Sequence, residues 1–109
     1  MSAKLTTHIL DLTHGKPAAD VTIELRNLTT GAWLKSVRTN TDGRTDTPLL
    51  VGDEVEANDY ELLFHIGDYF HDKSFLDIVP IRFRISDPNA GHHVPLLCTP
   101  WAYSTYRGS

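Results

Sequence analysis

Apolar and polar residues alternate along much of this chain with the period of two that is typical of half-buried β-strands. The alternation is clearest in residues 21–26 and 81–85, where Val, Ile, Leu or Phe occupies every second position. Because successive side chains of a strand point to opposite faces, each segment is predicted to be a strand with one apolar face. Similar but weaker patterns predict strands at residues 5–10, 32–39 and 60–65.

Turn-forming residues separate the predicted strands. Gly, Pro, Asn and Asp, which favour tight turns, cluster at residues 14–17, 30–31, 42–43, 51–53 and 87–89. Many short strands with frequent turns predict an all-β, two-sheet sandwich. One short α-helix is predicted at residues 68–73, with Asp68 as its N-cap and with Tyr69 and Phe70 packing inward.

Residues 94–98 depart from this pattern because both faces of the predicted strand are largely apolar. The side chains of one face would be Val94, Leu96 and Cys98, and those of the other His93, Pro95 and Leu97. A strand at the surface of a sandwich needs only one apolar face, so the second must be covered. We expect a second copy of the chain to cover it, which predicts a homo-oligomer. A loop or the helix of the same chain is the alternative.

Composition limits the possible functions. The 109 residues are predicted to form one domain, residues 1–109, that can bury a core without disulfides, and the single cysteine allows no intrachain disulfide. A net charge of −4 gives no electrostatic reason to expect nucleic acid or an anionic membrane as a partner. No apolar stretch is long enough to span a membrane, and the N-terminus lacks the apolar core of a signal peptide. We therefore expect a cytoplasmic protein.

Two side chains stand out as candidates for chemistry. His8 lies in the first predicted strand, on the same face as Thr6 and Leu10, where a titratable ring needs a partner or a task. Arg44 follows the turn at residues 42–43, where a guanidinium can grip a planar, carbonyl-rich ligand with two parallel hydrogen bonds. Taken singly, each residue also fits an ordinary surface position.

His92 and His93 open the doubly apolar segment, and their rings are expected to point to opposite faces. A zinc site formed by His8, His92 and His93 is conceivable because imidazole is a good zinc ligand. However, the rings of adjacent strand residues diverge, and no Cys or carboxylate stands at ligand spacing, so we expect no metal site. No nucleophilic-serine or phosphate-loop motif occurs in the chain, and Cys98 has the apolar neighbours of a packing residue.

The chain ends on an unusual tail. Tyr106, Arg107, Gly108 and Ser109 follow one another, whereas terminal residues are more often small and disordered. An arginine, a hydroxyl and a free carboxylate packed together could bind a small polar molecule. A frayed strand end or an expression scar is the alternative.

Three groups of segments together resemble 5-hydroxyisourate hydrolase, the transthyretin-related family of urate breakdown. Residues 5–11 with 15–18 are similar to its N-terminal signature, and residues 39–44 to its central Thr-Asn-Thr-Asp-Gly-Arg motif. Residues 93–109 are similar to its C-terminal signature. The resemblance spans essentially the whole chain, and the Tyr-Arg-Gly-Ser ending is absent from transthyretin, the hormone-carrying relative.

The resemblance implies a transthyretin-like sandwich of about eight strands with one short helix. It also implies a homotetramer, a dimer of dimers, with active sites in the channel where the dimers meet. The implied activity is cofactor-free hydrolysis of 5-hydroxyisourate. The family's two catalytic histidines fall on His8 and His93, its arginine on Arg44 and its C-terminal serine on Ser109, while Tyr106 would pin the tail beside the substrate.

Two positions depart from the family pattern. Gly91 and His92 stand where the family often has His-Tyr, and Trp101 stands where a tyrosine is common. Neither change removes a residue expected to be catalytic. The competing functions are a transthyretin-like carrier of a small aromatic ligand and an immunoglobulin-like interaction domain. A channel lined by His8, Arg44, His93 and Ser109, rather than by purely apolar or simple polar residues, would favour catalysis over a carrier. An interaction domain would make no functional use of the tail.

Overall fold

The computed structural model describes residues 3–108, and its elements are almost all strands. The strands are β1 (Lys4–Thr6), β2 (Ile9–Asp11), β3 (Lys16–Pro17), β4 (Thr22–Asn27), β5 (Trp33–Arg38), β6 (Leu50–Val51), β7 (Asp59–His65), β8 (Ile78–Arg84), β9 (His92–His93), β10 (Leu96–Cys98) and β11 (Tyr103–Thr105). One α-helix, α1 (Ile66–Phe70), follows β7, and one 3₁₀ turn spans Gly52–Glu54. The all-β class with one short α-helix is confirmed, although the described strands are more numerous than the eight expected.

The strands form two layers. One layer is the antiparallel sheet β5-β4-β7-β8. The other consists of two smaller sheets, β6-β1-β9 and β11-β10-β2-β3, in which β1 pairs with β9 and β2 with β10 in parallel. Backbone hydrogen bonds from Val94 N–H to Thr6 O and from Leu96 N–H to His8 O, both 2.9 Å, bridge the gap between these sheets. The two smaller sheets therefore continue one another along the same two chain segments.

The core lies between the layers and follows the predicted alternation. In β4, half-buried and buried residues alternate without exception. Ile23 and Leu25 of that strand are fully buried, as are Tyr60 and Phe64 of β7 and Leu96 of β10. Burying a Leu, Ile or Phe side chain contributes about 1.5–3 kcal/mol relative to leaving it exposed, so these positions dominate the stability of the fold.

The two segments around the predicted site are less regular than the sequence suggested. The predicted strand at residues 5–10 breaks at Thr7 and His8, and the segment 94–98 breaks at Val94 and Pro95. Pro95 has no N–H to donate, which interrupts the ladder at that point. The hydroxyl of Thr7 donates to the carbonyl of Val94 over 2.7 Å and spans the interruption. His8 thus lies between two short strands.

The helix begins at Ile66 with His65 at its N-cap, so the predicted start and N-cap at Asp68 are wrong. Tertiary contacts decide this, because Gly67 is buried and its N–H donates to the carbonyl of Asp77 over 2.9 Å. The helix ends at Phe70, short of the predicted residue 73, because the C-cap His71 has a left-handed backbone (φ 54°). Tyr69 and Phe70 pack against the core as predicted. No helix among residues 3–108 has the length and apolar character needed to cross a membrane.

A buried polar cluster ties α1 to the second layer. Asp11 is 1% exposed, and its Oδ2 accepts hydrogen bonds of 2.7 Å from the hydroxyl of Tyr69 and from Nδ1–H of His14. Burial and the neighbouring Asp11 carboxylate raise the pKa of both Tyr69 and Cys98, the latter to about 12. Cys98 is fully buried, so it serves as a packing residue, as the sequence predicted.

Candidate active site

His8 lies at the break between β1 and β2 and is half-buried. Its Nε2 is 2.8 Å from the carbonyl oxygen of Asp42. Because a carbonyl oxygen can only accept a hydrogen bond, Nε2 carries a proton. In the neutral ring, Nδ1 therefore keeps its lone pair and is the basic nitrogen of His8.

The loop that carries Arg44 is folded tightly against the start of β2. The side-chain oxygen of Asn40 accepts from the N–H groups of Asp42 (2.9 Å) and Arg44 (3.2 Å), which closes the turn. Gly43 has φ of 74°, and its carbonyl accepts from Ile9 N–H over 2.8 Å. A Cβ on Gly43 would collide with the carbonyl oxygen of Ile9. Only glycine allows this approach, which brings the Arg44 loop next to His8.

His93 is held from two sides. It lies opposite Thr6 in the parallel register of β1 and β9, and its Nδ1 is 2.9 Å from Oγ1 of Thr6. On the other side the tail approaches, and Gly108 N–H donates to the carbonyl of His93 over 2.8 Å. A Cβ on Gly108 would lie 2.6 Å from Cδ2 of the imidazole. The absence of a side chain at Gly108 therefore allows the tail backbone to approach the His93 ring closely.

Burial, then the positive charge of Arg44, then His8 lower the pKa of His93 below the ordinary value of 6.5. These causes place the three side chains in one electrostatic environment. Thr6 and Arg44 also line a common pocket of about 160 Å³. The structure thus brings together three of the predicted site residues, His8, Arg44 and His93, from three separate parts of the chain.

The remaining predicted residues lie elsewhere or outside the described chain. Tyr106 and Arg107 line a different groove, together with His92 and Val94. His92 is buried and donates from Nδ1–H to the carbonyl of Ala90 over 3.1 Å. The His92 ring lines the groove beside Tyr106, whereas the His93 ring lies beside Thr6. This confirms the prediction that the two rings point to opposite faces.

Ser109, also predicted as a site residue, lies outside the described residues 3–108. Within those residues, no group of three His, Cys, Asp or Glu side chains is placed to hold a metal ion. The zinc arrangement of His8, His92 and His93 is therefore not formed by the described side chains.

Sequence reasoning assigned no role to Thr6, Asn40 or the carbonyl of Asp42. A signal was available for Asn40, because an asparagine two residues before Asp42 in a turn segment is typical of an Asx turn. Thr6 shares a face with His8, but its pairing with His93 depends on a register between segments 87 residues apart. Local pattern carries no information about that register.

The combined site offers a basic imidazole nitrogen, a second imidazole kept neutral, and a guanidinium. A basic nitrogen can accept a proton from water, and a guanidinium can bind carbonyl oxygens and offset negative charge that develops on them. Hydrolysis of a planar, carbonyl-rich molecule is the chemistry that this set can support.

The lowered pKa of His93 leads to a prediction that concerns protonation alone. We expect a value below 6.5 in an NMR titration of the His93 ring, because burial and Arg44 both disfavour the imidazolium. In Arg44→Gln the positive charge is lost, so the pKa of His93 should rise towards 6.5. Arg38→Gln is the control, because Arg38 is an exposed strand arginine whose charge does not contribute to the lowered pKa of His93. In this variant the pKa of His93 should not change. A His93 pKa that is the same in wild type and Arg44→Gln would contradict this account.

The chain is similar to known proteins over almost its whole length. The profile of the HIUase/Transthyretin family matches residues 5–108. A 5-hydroxyisourate hydrolase of Deinococcus radiodurans is 48% identical, and the alignment covers 96% of this chain and 95% of that protein. The solved 5-hydroxyisourate hydrolase of Klebsiella pneumoniae superposes with a TM-score of 0.85 at 34% identity, covering 98% of this chain and 99% of that one.

A crystal structure of (S)-allantoin synthase superposes with a TM-score of 0.95 at 39% identity. The match covers 99% of this chain but only 44% of that longer chain. The sequence motifs resembled this family, and the fold, the profile match over residues 5–108 and these relatives agree with that resemblance. The chain belongs to the HIUase/transthyretin family.

Proposed function

We propose that this protein hydrolyses 5-hydroxyisourate, opening its six-membered ring to give 2-oxo-4-hydroxy-4-carboxy-5-ureidoimidazoline in urate degradation. The observation that carries the proposal is the convergence of His8, Arg44 and His93 on one site. A full-length relative at 48% identity is named 5-hydroxyisourate hydrolase, which supports the same reaction.

In the proposed reaction, the oxygen of water attacks a ring carbonyl, a water proton passes to a base, and the C–N bond breaks as the ring nitrogen takes up a proton. His8 and His93 activate and orient the water, since an imidazole can exchange protons near neutral pH. Arg44 binds the planar substrate through its oxygens and offsets the charge of the tetrahedral oxyanion. The scheme needs no cofactor.

The tail completes the proposed site. We include Ser109 in the proposed site, with its hydroxyl as the group that would bond a substrate N–H or a histidine, because it directly follows Gly108, whose backbone packs on the His93 ring. Tyr106 and Arg107 would hold the tail in position. The groove that Tyr106 and Arg107 line lies beside β8 and β9. In the proposed assembly, Tyr106 therefore contributes to the substrate site by holding the tail, and not by way of His8 or Arg44.

We also propose a homotetramer built as a dimer of dimers. Large apolar side chains are exposed on neighbouring loops, with Leu12 54%, Phe75 72% and Trp101 60% exposed. Backbone bonds from Leu12 N–H to Cys98 O and from Leu76 N–H to Pro100 O show that these loops adjoin. Such a patch on one chain is typical of an interface. Light scattering at micromolar concentration should give the tetramer mass, and a monomer mass would contradict the assembly.

We also propose that the chain is a single domain, residues 1–109, located in the cytoplasm. Its one cysteine, Cys98, is free and buried, which fits a reducing compartment.

The reaction can be tested directly. 5-Hydroxyisourate is generated in situ with urate oxidase, the protein is added, and the decay of the ultraviolet absorbance is followed. We expect decay well above the spontaneous rate and no loss of activity on treatment with a metal chelator. Saturable binding without faster decay would instead indicate a carrier.

A further inference from the structure

Within residues 3–108, Thr6 is the only residue without a predicted role whose side chain hydrogen-bonds to one of the site histidines. Its Oγ1 lies 2.9 Å from Nδ1 of His93. Thr6 belongs to β1, the central strand of its three-stranded sheet, and its carbonyl accepts from Val94 N–H over 2.9 Å. A β-branched side chain on a rigid strand has few rotamers, so the hydroxyl is held in place beside the ring.

The direction of this hydrogen bond follows from the available partners. A threonine hydroxyl has one proton to donate, and His93 Nδ1 is its only hydrogen-bond partner within residues 3–108. If Nδ1 carried the proton, the hydroxyl proton of half-buried Thr6 would have no acceptor in that part of the chain. Donation from Oγ1 to the Nδ1 lone pair satisfies both groups. The proton of the neutral ring then resides on Nε2.

His8 is held in the complementary way. Its Nε2–H donates to the carbonyl of Asp42, so its free lone pair is on Nδ1. If His8 became positively charged, the same carbonyl would still accept from Nε2–H, in a stronger, charge-assisted bond. Within residues 3–108, no carbonyl oxygen accepts from a ring nitrogen of His93, and burial and the positive charge of Arg44 both disfavour its charged form.

We propose that Thr6 is a positioning residue that fixes His93 as a neutral hydrogen-bond donor through Nε2–H and thereby leaves His8 Nδ1 as the proton acceptor. This division of roles rests on the proposed hydrolysis of 5-hydroxyisourate. His8 Nδ1 takes the proton from the attacking water as the C–O bond forms. His93 Nε2–H and Arg44 donate hydrogen bonds to the carbonyl oxygen that becomes the oxyanion.

The test compares Thr6→Val, which keeps the shape of the side chain but lacks the hydroxyl, with Thr6→Ser, which restores it. Long-range ¹H–¹⁵N NMR reports the tautomer of His93 without any substrate, and its signals are assigned by their loss in His93→Gln. The ultraviolet assay reports kcat and KM. Thr22→Val is the matched control, because Thr22 is a half-buried strand threonine in the other layer.

We expect wild-type His93 to carry its proton on Nε2 at neutral pH. Thr6→Val should give a mixture of tautomers and lower kcat about tenfold with little change in KM, since one hydrogen bond is lost in the transition state. Thr6→Ser should recover most of both properties, and Thr22→Val should match wild type. Retention of the melting temperature in the Thr6 variants separates positioning from stability.

Two outcomes would overturn the role of Thr6: a wild-type His93 with its proton on Nδ1, or a Thr6→Val variant that turns over like wild type. Failure of the proposed function looks different, because wild-type protein would then not accelerate 5-hydroxyisourate decay. The NMR measurement stays interpretable in that case, because it involves no substrate.

Discussion

Replacing His93 with alanine is expected to lower kcat/KM for 5-hydroxyisourate by about 10²–10⁴-fold, the range found when a well-placed acid–base or donor group is removed. The His93 ring contacts Thr6 and the backbone of Gly108 and is only half-buried. Its removal should therefore leave the sheet and the core intact. The ultraviolet assay measures the loss, and circular dichroism with thermal melting checks the fold.

The matched control for this variant is His71→Asn. His71 is an exposed histidine at the end of α1, and asparagine tolerates its left-handed backbone. This control removes an exposed imidazole that has no role in the proposed site, and it should retain wild-type turnover. Near-normal turnover in His93→Ala would exclude His93 from the proposed mechanism.

Replacing Gly43 with alanine should destabilise the protein by about 2–4 kcal/mol, combining left-handed backbone strain with overpacking. Gly43 has φ of 74°, and an added Cβ would run into the backbone of Ile9 and Ala18. The same displacement would pull Asp42 away from His8, so activity should fall together with stability. Urea unfolding gives the free energy of unfolding, and the ultraviolet assay gives kcat/KM.

Gly31→Ala separates the two causes. Gly31 also has a positive φ, 79°, but no atom lies within 4 Å of its added Cβ. It should cost about 1–2 kcal/mol, the price of left-handed backbone alone, and leave activity unchanged. Equal losses of stability in the two variants would show that the contact between Gly43 and Ile9 does not constrain the loop.

The sequence predicted the features that depend on local pattern. The period of two in residues 21–26 and 81–85 identified strands that are present as β4 and β8, and it separated His92 from His93. The Asp42-Gly43 turn was recognised from its residues alone. These features arise from side-chain direction and backbone preference, which act over a few residues.

Features set by distant contacts were not predictable in this way. The helix starts at Ile66 because Gly67 bonds to Asp77, and the break at Thr7 and His8 accompanies the one at Pro95 in the neighbouring chain segment. The meeting of His8, Arg44 and His93 depends on the register between β1 and β9. Their common site was expected from similarity to a known family and not from the periodicity of the sequence. Local sequence patterns do not predict the register between distant strands.

The burial of Cys98 has a practical consequence for site-specific labelling. The chain contains one thiol, it is fully buried, and its pKa is raised to about 12. Thiolate is the form that reacts with maleimides and disulfide reagents, so the native cysteine is effectively silent at neutral pH. A cysteine introduced at exposed Thr30 would be the single labelling site. The unmodified sequence is therefore already a suitable background for attaching one fluorophore or spin label at a chosen position, with no need to remove a native cysteine first.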